Sequence, residues 1–268
     1  METPIGIFDS GIGGLTVSRE VARLLPREDL LYLGDTARVP YGAKSPETVT
    51  RYSLENVRFL AGKGAKVIVV ACNTASAFAL PTLREKFSVP LLGVIEPGVR
   101  GALARTRNGK VGVIGTEGTI RSQAYATLLK KFNLKVEVYS VACPLFVPLV
   151  EEGWLSGEES GKVAARYLNP LKATGIDTLI LGCTHYPLLK GVIRELLGPS
   201  VALIDSAEET AKELARLLKT KNLLSQEDRT GKQSFFVTDS PERFARVGSL
   251  FLDQNLEGVE RVSVESHQ

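Results

Sequence analysis

IGIFDSGIGG (residues 5–14) and VGVIGTEGTI (111–120) are the stretches from which the fold can be read. Each starts as an apolar run, reaches a polar residue and passes through glycines into a helix-like pattern. Apolar runs without polar alternation suit strands buried on both faces, as in a parallel sheet. Outward from these two, the same kind of run recurs at LLYLGD (30–35), KVIVVAC (66–72), VPLLGVI (89–95), KVEVYSVAC (135–143), TLILGC (178–183) and VALID (201–205). Helical patterns lie between them. Ser45-Pro46, a capping residue followed by a first-turn proline, predicts a helix running to Gly62 or Gly64. Strand–helix alternation of this kind predicts α/β architecture with right-handed crossovers.

The chain also repeats itself. The two opening stretches begin 106 residues apart, the strand-end cysteines Cys72 and Cys183 are 111 apart, and Glu96 in GVIEPG and Asp205 in ALIDSA are 109 apart. Any α/β chain contains strand–glycine–helix segments that resemble one another. Three matches in one order favour duplication: two pseudo-symmetric doubly wound domains, each with a mainly parallel sheet flanked by helices. Beyond 207 come a helix (EETAKELARLLK), a polar stretch (TKNLLSQEDRTGKQ), a strand (SFFVTD, 234–239), a helix begun by Ser240-Pro241 and an alternating, edge-like run (GVERVSVE, 258–265). This tail is expected to complete the first domain, as 1–95 plus 207–268, leaving 96–206 as the second.

Composition narrows the class. With 268 residues, 44% apolar and 24% charged, the chain reads as an ordinary globular protein and not a disordered one. No apolar run is long enough for a membrane helix, and the N-terminus has no signal-peptide pattern. A net charge of +3 with interspersed signs argues against nucleic acid or an anionic membrane as main partner. Three cysteines without an export signal point to a reduced, cytoplasmic compartment. There is no C-x-x-C pair to suggest structural zinc, and the only histidines are His185 and the near-terminal His267.

Sites in open parallel sheets form beyond the carboxyl ends of strands. There stand Asp9-Ser10, Asp35, Cys72-Asn73-Thr74, Thr116, Cys183-Thr184-His185 and Asp205. A thiol at a helix N-terminus sees a positive dipole end, so both matched cysteines are expected to have lowered pKa values. Two thiols facing each other across a ligand suit the transfer of a proton from one face of a carbon to the other. Cys143, among apolar neighbours, reads as core filling. Zinc on Cys72, Cys183 and His185, or a cysteine hydrolase using Cys183 and His185, are the alternatives; the second leaves Cys72 without a task. Gly11-Ile12-Gly13-Gly14 is either an anion-binding turn or a turn made for close packing. Asn73, Thr74 and Thr184 are donors for a carboxylate or amine, or helix caps. Arg38 is either a residue at the cleft mouth or a surface charge.

IGIFDSGIGGLTV, LYLGDTARVPYG, VVACNTASA, VGVIGTEGTI and LGCTHYPLL together resemble the glutamate racemases of the aspartate/glutamate racemase superfamily, from residue 5 to about 207. The resemblance implies a cofactor-independent enzyme interconverting L- and D-glutamate for peptidoglycan synthesis, with no metal, two α/β domains around the substrate, and a homodimer. It implies Cys72 and Cys183 as acid/base thiols, Asp9 assisting Cys72, His185 assisting Cys183, and Glu151 as a further acidic helper, with Glu152 next to it in the chain. It implies Ser10, Tyr41, Gly42, Asn73, Thr74, Thr116, Thr119 and Thr184 as substrate-binding positions. The rival readings are a racemase for aspartate or another small acid, and a binding protein that keeps the cleft without turnover.

Overall fold

A computed structural model describes residues 3–265; His267 lies outside them. Among the described residues, ten strands form two sheets: β1 (Ile5–Asp9), β2 (Leu30–Gly34), β3 (Val67–Val70), β4 (Leu91–Gly93), β5 (Lys110–Gly115), β6 (Glu137–Ala142), β7 (Thr178–Gly182), β8 (Ala202–Asp205), β9 (Gln233–Val237) and β10 (Val259–Arg261). The first sheet runs β10-β9-β2-β1-β3-β4 and the second β6-β5-β7-β8. All pairings are parallel. The central strands β1, β3 and β7 are buried along their whole length, which is why their sequences show no polar alternation.

The four-strand order β2-β1-β3-β4 is the same as β6-β5-β7-β8. Ile5 on β1 lies between Leu30 and Val67, and Val111 on β5 lies between Val138 and Thr178. The repeated spacing of the sequence thus has a counterpart in strand order. One of the three sequence matches departs from it. Asp205 ends β8, but β4 ends at Gly93, and Glu96 lies in the following helix, paired at the surface with Arg100.

The helices are α1 (Leu15–Leu24), α2 (Pro46–Gly62), α3 (Asn73–Phe78), α4 (Leu80–Lys86), α5 (Ile95–Arg105), α6 (Glu117–Arg121), α7 (Ala124–Phe132), α8 (Phe146–Glu151), α9 (Glu158–Ala173), α10 (Lys190–Leu197), α11 (Ser206–Thr220) and α12 (Pro241–Leu252). Ser45 caps α2 by accepting from the Thr48 N–H, with Pro46 in the first turn. Asp205 caps α11 through the Ala207 N–H at 2.8 Å. Ser240 makes no such cap; it precedes α12 in a left-handed conformation, φ 50°. The tail adds β9 and β10 to the first sheet, with β10 at its edge, while α11 and α12 both pack on α1. Among the described residues no helix is long and apolar enough to cross a membrane.

Candidate active site

The two sheets present their carboxyl ends to one cavity of about 70 Å³. One water needs roughly 10–15 Å³ on this measure, so the space suits a small metabolite. Cys72, directly before α3, and Cys183, one residue beyond β7, both line it, and each is only 6% exposed. Ser10, Tyr41, Gly42, Asn73 and Thr74 line it from the first half, and Thr116, Glu151, Thr184 and His185 from the second. Asp9 and Thr119, expected at the site, stand behind the wall, both buried. Val39, Pro40 and Val147 line the cavity without having been singled out in the sequence, because an apolar wall residue has no chemical signature there.

The halves are joined around the cavity by polar contacts. The hydroxyls of Thr74, Thr116 and Thr119 form a closed ring at 2.9, 3.1 and 3.0 Å. Tyr125 on α7 donates to Asn73 Oδ1 at 2.6 Å. Asn73 Nδ2, buried, has no partner among the described residues. Thr16 Oγ1 is 3.0 Å from the Thr184 carbonyl. At Gly13 a Cβ would stand 2.2 Å from Thr184 Oγ1 and 2.3 Å from His185 Nδ1. Gly13 is thus a point of close packing between the two halves. The Gly11 N–H is bonded to Asp9 Oδ2 at 2.8 Å.

The two thiols have different surroundings. On the Cys183 side, His185 Nδ1 is 3.9 Å from the sulfur, and Nε2 is 3.1 Å from Glu151 Oε1. The other Glu151 oxygen accepts from Arg243 of α12 at 2.8 Å. Of the two adjacent glutamates it is therefore Glu151 that meets His185, while Glu152 is exposed. Burial opposes charge on His185, yet Cys183 and Glu151 beside it raise its pKa to about 10. Burial likewise opposes charge on Glu151, but His185 and Arg243 hold its pKa below the ordinary value.

Around Cys72 the polar partners are Asp9 and Ser10. Burial pushes the Cys72 thiol up to about 12, and the neighbouring Asp9 adds to the rise. Burial also raises Asp9, against the pull of His185. This corrects the expectation of a lowered pKa at Cys72: the six-residue helix α3 does not offset the loss of water. Nor does an α-helix begin at Cys183. A turn and a 3₁₀ segment, Tyr186–Leu189, follow it, so the helix-end argument fails there on geometry. Cys143 is fully buried, its thiol raised by burial, as expected of a core residue.

Arg38 is neither at the mouth nor a free surface charge. Its side chain is 12% exposed and paired with Asp35 and Glu55 behind the Tyr41 wall. Among the described residues no cluster of His, Cys, Asp or Glu could hold a metal ion.

Residues 5–214 match the family model for Asp/Glu/Hydantoin racemase, and the chain belongs to that family. Within it the resemblance is to the glutamate racemases. That of Geobacter metallireducens is 58% identical over 264 residues, 98% of each chain. Among solved structures, glutamate racemase isoform RacE1 of Bacillus anthracis superposes with a TM-score of 0.94 at 43% identity, covering 97% of each chain. The Francisella tularensis glutamate racemase in complex with D-glutamate gives 0.93 at 42% identity, covering 99% of each. The class of reaction follows: the protein is an isomerase, an amino-acid racemase of the glutamate type.

Proposed function

We propose that this protein interconverts L- and D-glutamate by a two-base mechanism in which Cys72 and Cys183 are the acid and the base. The observation that carries this reading is that the two thiols open into one small cavity from corresponding strand ends of two like sheets. One thiolate takes the α-proton, leaving the electron pair on carbon as a carbanion. The opposite thiol gives its proton to the other face. The product has inverted configuration, and thiol and thiolate have exchanged places.

The carbanion is stabilised by hydrogen bonds to the substrate carboxylate and by the retained ammonium charge. Asn73 lines the cavity, and its Nδ2, with no partner among the described residues, is a donor for a substrate carboxylate. Thr74, Thr116 and Thr184 supply hydroxyls there, with Ser10, Tyr41 and Gly42 completing the binding wall. Thr119 acts from behind through the hydroxyl ring. The substrate ammonium brings to the Cys72 side the positive charge that Asp9 and the thiol lack, easing ionisation of Cys72. Asp9 serves Cys72, and the His185–Glu151 pair serves Cys183. The division into 1–95 plus 207–268 and 96–206 is the arrangement in which each domain brings one thiol. The same reading makes the protein a cytoplasmic homodimer that needs no cofactor and supplies D-glutamate for peptidoglycan.

The test is incubation with each glutamate enantiomer in heavy water without added cofactor, followed by polarimetry and mass spectrometry. Deuterium enters the α-position with inversion. Cys72→Ser and Cys183→Ser each lose about two to four orders of magnitude in racemisation, the usual worth of a positioned acid or base. Each retains exchange of the α-proton for one enantiomer, and the two variants for opposite enantiomers. Near-full racemisation by either variant ends the two-thiol reading. Turnover of aspartate in place of glutamate ends the substrate assignment.

A further inference from the structure

Asp35 ends the run LLYLGD, takes no part in the proton chemistry above and does not line the cavity, yet it is completely buried. Its two oxygens collect donors from separate parts of the chain. Arg38 Nε lies 2.9 and 2.8 Å from them, Thr238 just past β9 donates at 3.0 Å, and the Tyr41 hydroxyl donates to Oδ2. Arg38 is held in turn by Glu55 and Asn56 of α2 and lies over the Tyr52 ring, 4.2 Å from its centroid. Asn56 also donates to the Tyr41 hydroxyl at 3.1 Å. Burial and the adjacent Asp35 raise the Tyr41 pKa, so the phenol keeps the proton it donates.

Tyr41 lines the cavity while its hydroxyl is anchored behind it. The next residue, Gly42, is the point of contact with the other half: a Cβ there would lie 2.6 Å from Thr116 Cβ. A tether at Tyr41 therefore fixes both the cavity wall and the fit of that wall against Thr116.

We propose that Asp35, oriented by Arg38, is a positioning residue that holds the Tyr41–Gly42 wall in its substrate-binding place and so sets affinity for the amino acid. This rests on reading the cavity as the glutamate site. A buried carboxylate shared by an arginine, a phenol and a threonine orders a short loop because every donor loses its partner together. The carboxylate contributes nothing to the proton-transfer step itself.

The test compares Asp35→Asn, which keeps the shape but loses charge and one acceptor, with Tyr41→Phe, which keeps the ring and removes only the tether. Both are assayed for KM and kcat in each direction, with the melting temperature measured alongside. Asp35→Asn is expected to raise KM about tenfold or more, as for loss of a charge-assisted bond, with kcat within about threefold of wild type. Tyr41→Phe raises KM in the same sense by a smaller factor. An unchanged KM in Tyr41→Phe overturns the proposal, even where Asp35→Asn is too unstable to assay. So does a fall in kcat at constant KM. A wild-type protein that does not racemise glutamate tells against the functional reading, whereas an active wild type with KM unmoved in both variants tells against the tether alone.

Discussion

His185 Nε2 lies 3.1 Å from Glu151 Oε1, and this contact makes the surroundings of the two thiols unequal. The imidazole is charged up to about pH 10, against an ordinary value of 6.5. Burial works against that charge; the neighbouring Cys183 and Glu151 overcome it. On the Cys72 side the close neighbour is Asp9, which favours the neutral thiol. The site thus pairs a thiol next to a cation with a thiol next to an acid.

Removing the carboxylate from this pair changes the pH profile in a fixed direction. A group whose folded pKa is raised contributes stability fully below its unfolded value and loses it as the pH climbs through the folded value. For His185 that window runs from 6.5 to about 10. Glu151→Gln lowers the His185 pKa, so the alkaline fall in kcat/KM moves to lower pH by about one unit or more. Urea unfolding at several pH values from 6 to 10 shows less loss of stability across the window than in wild type. Because the two enantiomers are equally stable, kcat/KM falls by the same factor in both directions. Arg243→Gln removes a positive charge from the far side of Glu151 and gives a smaller shift of the opposite sign, since Arg243 is about half exposed.

Asn73 offers a second, independent readout. Its Oδ1 accepts from Tyr125 at 2.6 Å, while Nδ2 is buried without a partner among the described residues. Asn73→Asp preserves the acceptor for Tyr125 and replaces the donor with an acceptor. Hydrogen bonds to charged groups are worth about 1.5–3 kcal/mol, so glutamate affinity falls at least about tenfold. Isothermal calorimetry with glutamate measures the loss, and the melting temperature shows that the fold is kept.

The contrast between what the sequence shows and what it hides follows from range. Strands such as IGIFD and TLILG are visible because burial on both faces removes polar alternation from a local run. The strand-end cavity residues are visible because parallel strands bring their carboxyl ends together, so each polar residue there is already a candidate; Tyr41, Gly42 and Glu151 are reached only through the family resemblance. Arg243 carries no such mark. It stands 92 positions from Glu151 and is one of 33 basic residues, most of which face water. Arg38 looks like a surface charge until Asp35 and Glu55 are seen around it. The lowering expected at Cys72 is absent because a helix end can be inferred from sequence, while the extent of desolvation is a property of the whole packed site.

Stability and catalysis separate at the opposite end of the first sheet. Lys66, just before β3, pairs with Glu28, just before β2, at 2.6 Å, with side chains 7% and 3% exposed. Glu28 also accepts from the Ser225 N–H at 2.8 Å, tying the tail to this end. Lys66→Met leaves a buried charge uncompensated and costs about 3–5 kcal/mol. Denaturant titration of Lys66→Met shows that loss, and the double variant with Glu28→Gln recovers part of it. At a temperature where the variant is folded, kcat stays near wild type, because the pair lies before the strands and the cavity beyond them.

Gly13 provides the most direct test of how closely the halves must meet. The residue lies just before α1, without a positive φ, so alanine meets no backbone penalty there. Its methyl group instead falls 2.2 Å from Thr184 Oγ1 and 2.3 Å from His185 Nδ1, far inside van der Waals contact. Relief requires His185 and Thr184 to move, and His185 is confined between Glu151 and the Phe251 ring 5.3 Å away. Gly13→Ala therefore costs about 1–3 kcal/mol of stability, as overpacking does. With His185 serving Cys183 as proposed, it also lowers kcat by about a hundredfold, since small displacements within an active site are that costly. Stopped-assay kinetics with chemical denaturation separate the two effects. A Gly13→Ala protein with wild-type kcat would show that the imidazole tolerates displacement and that its place beside Cys183 is not what sets the rate.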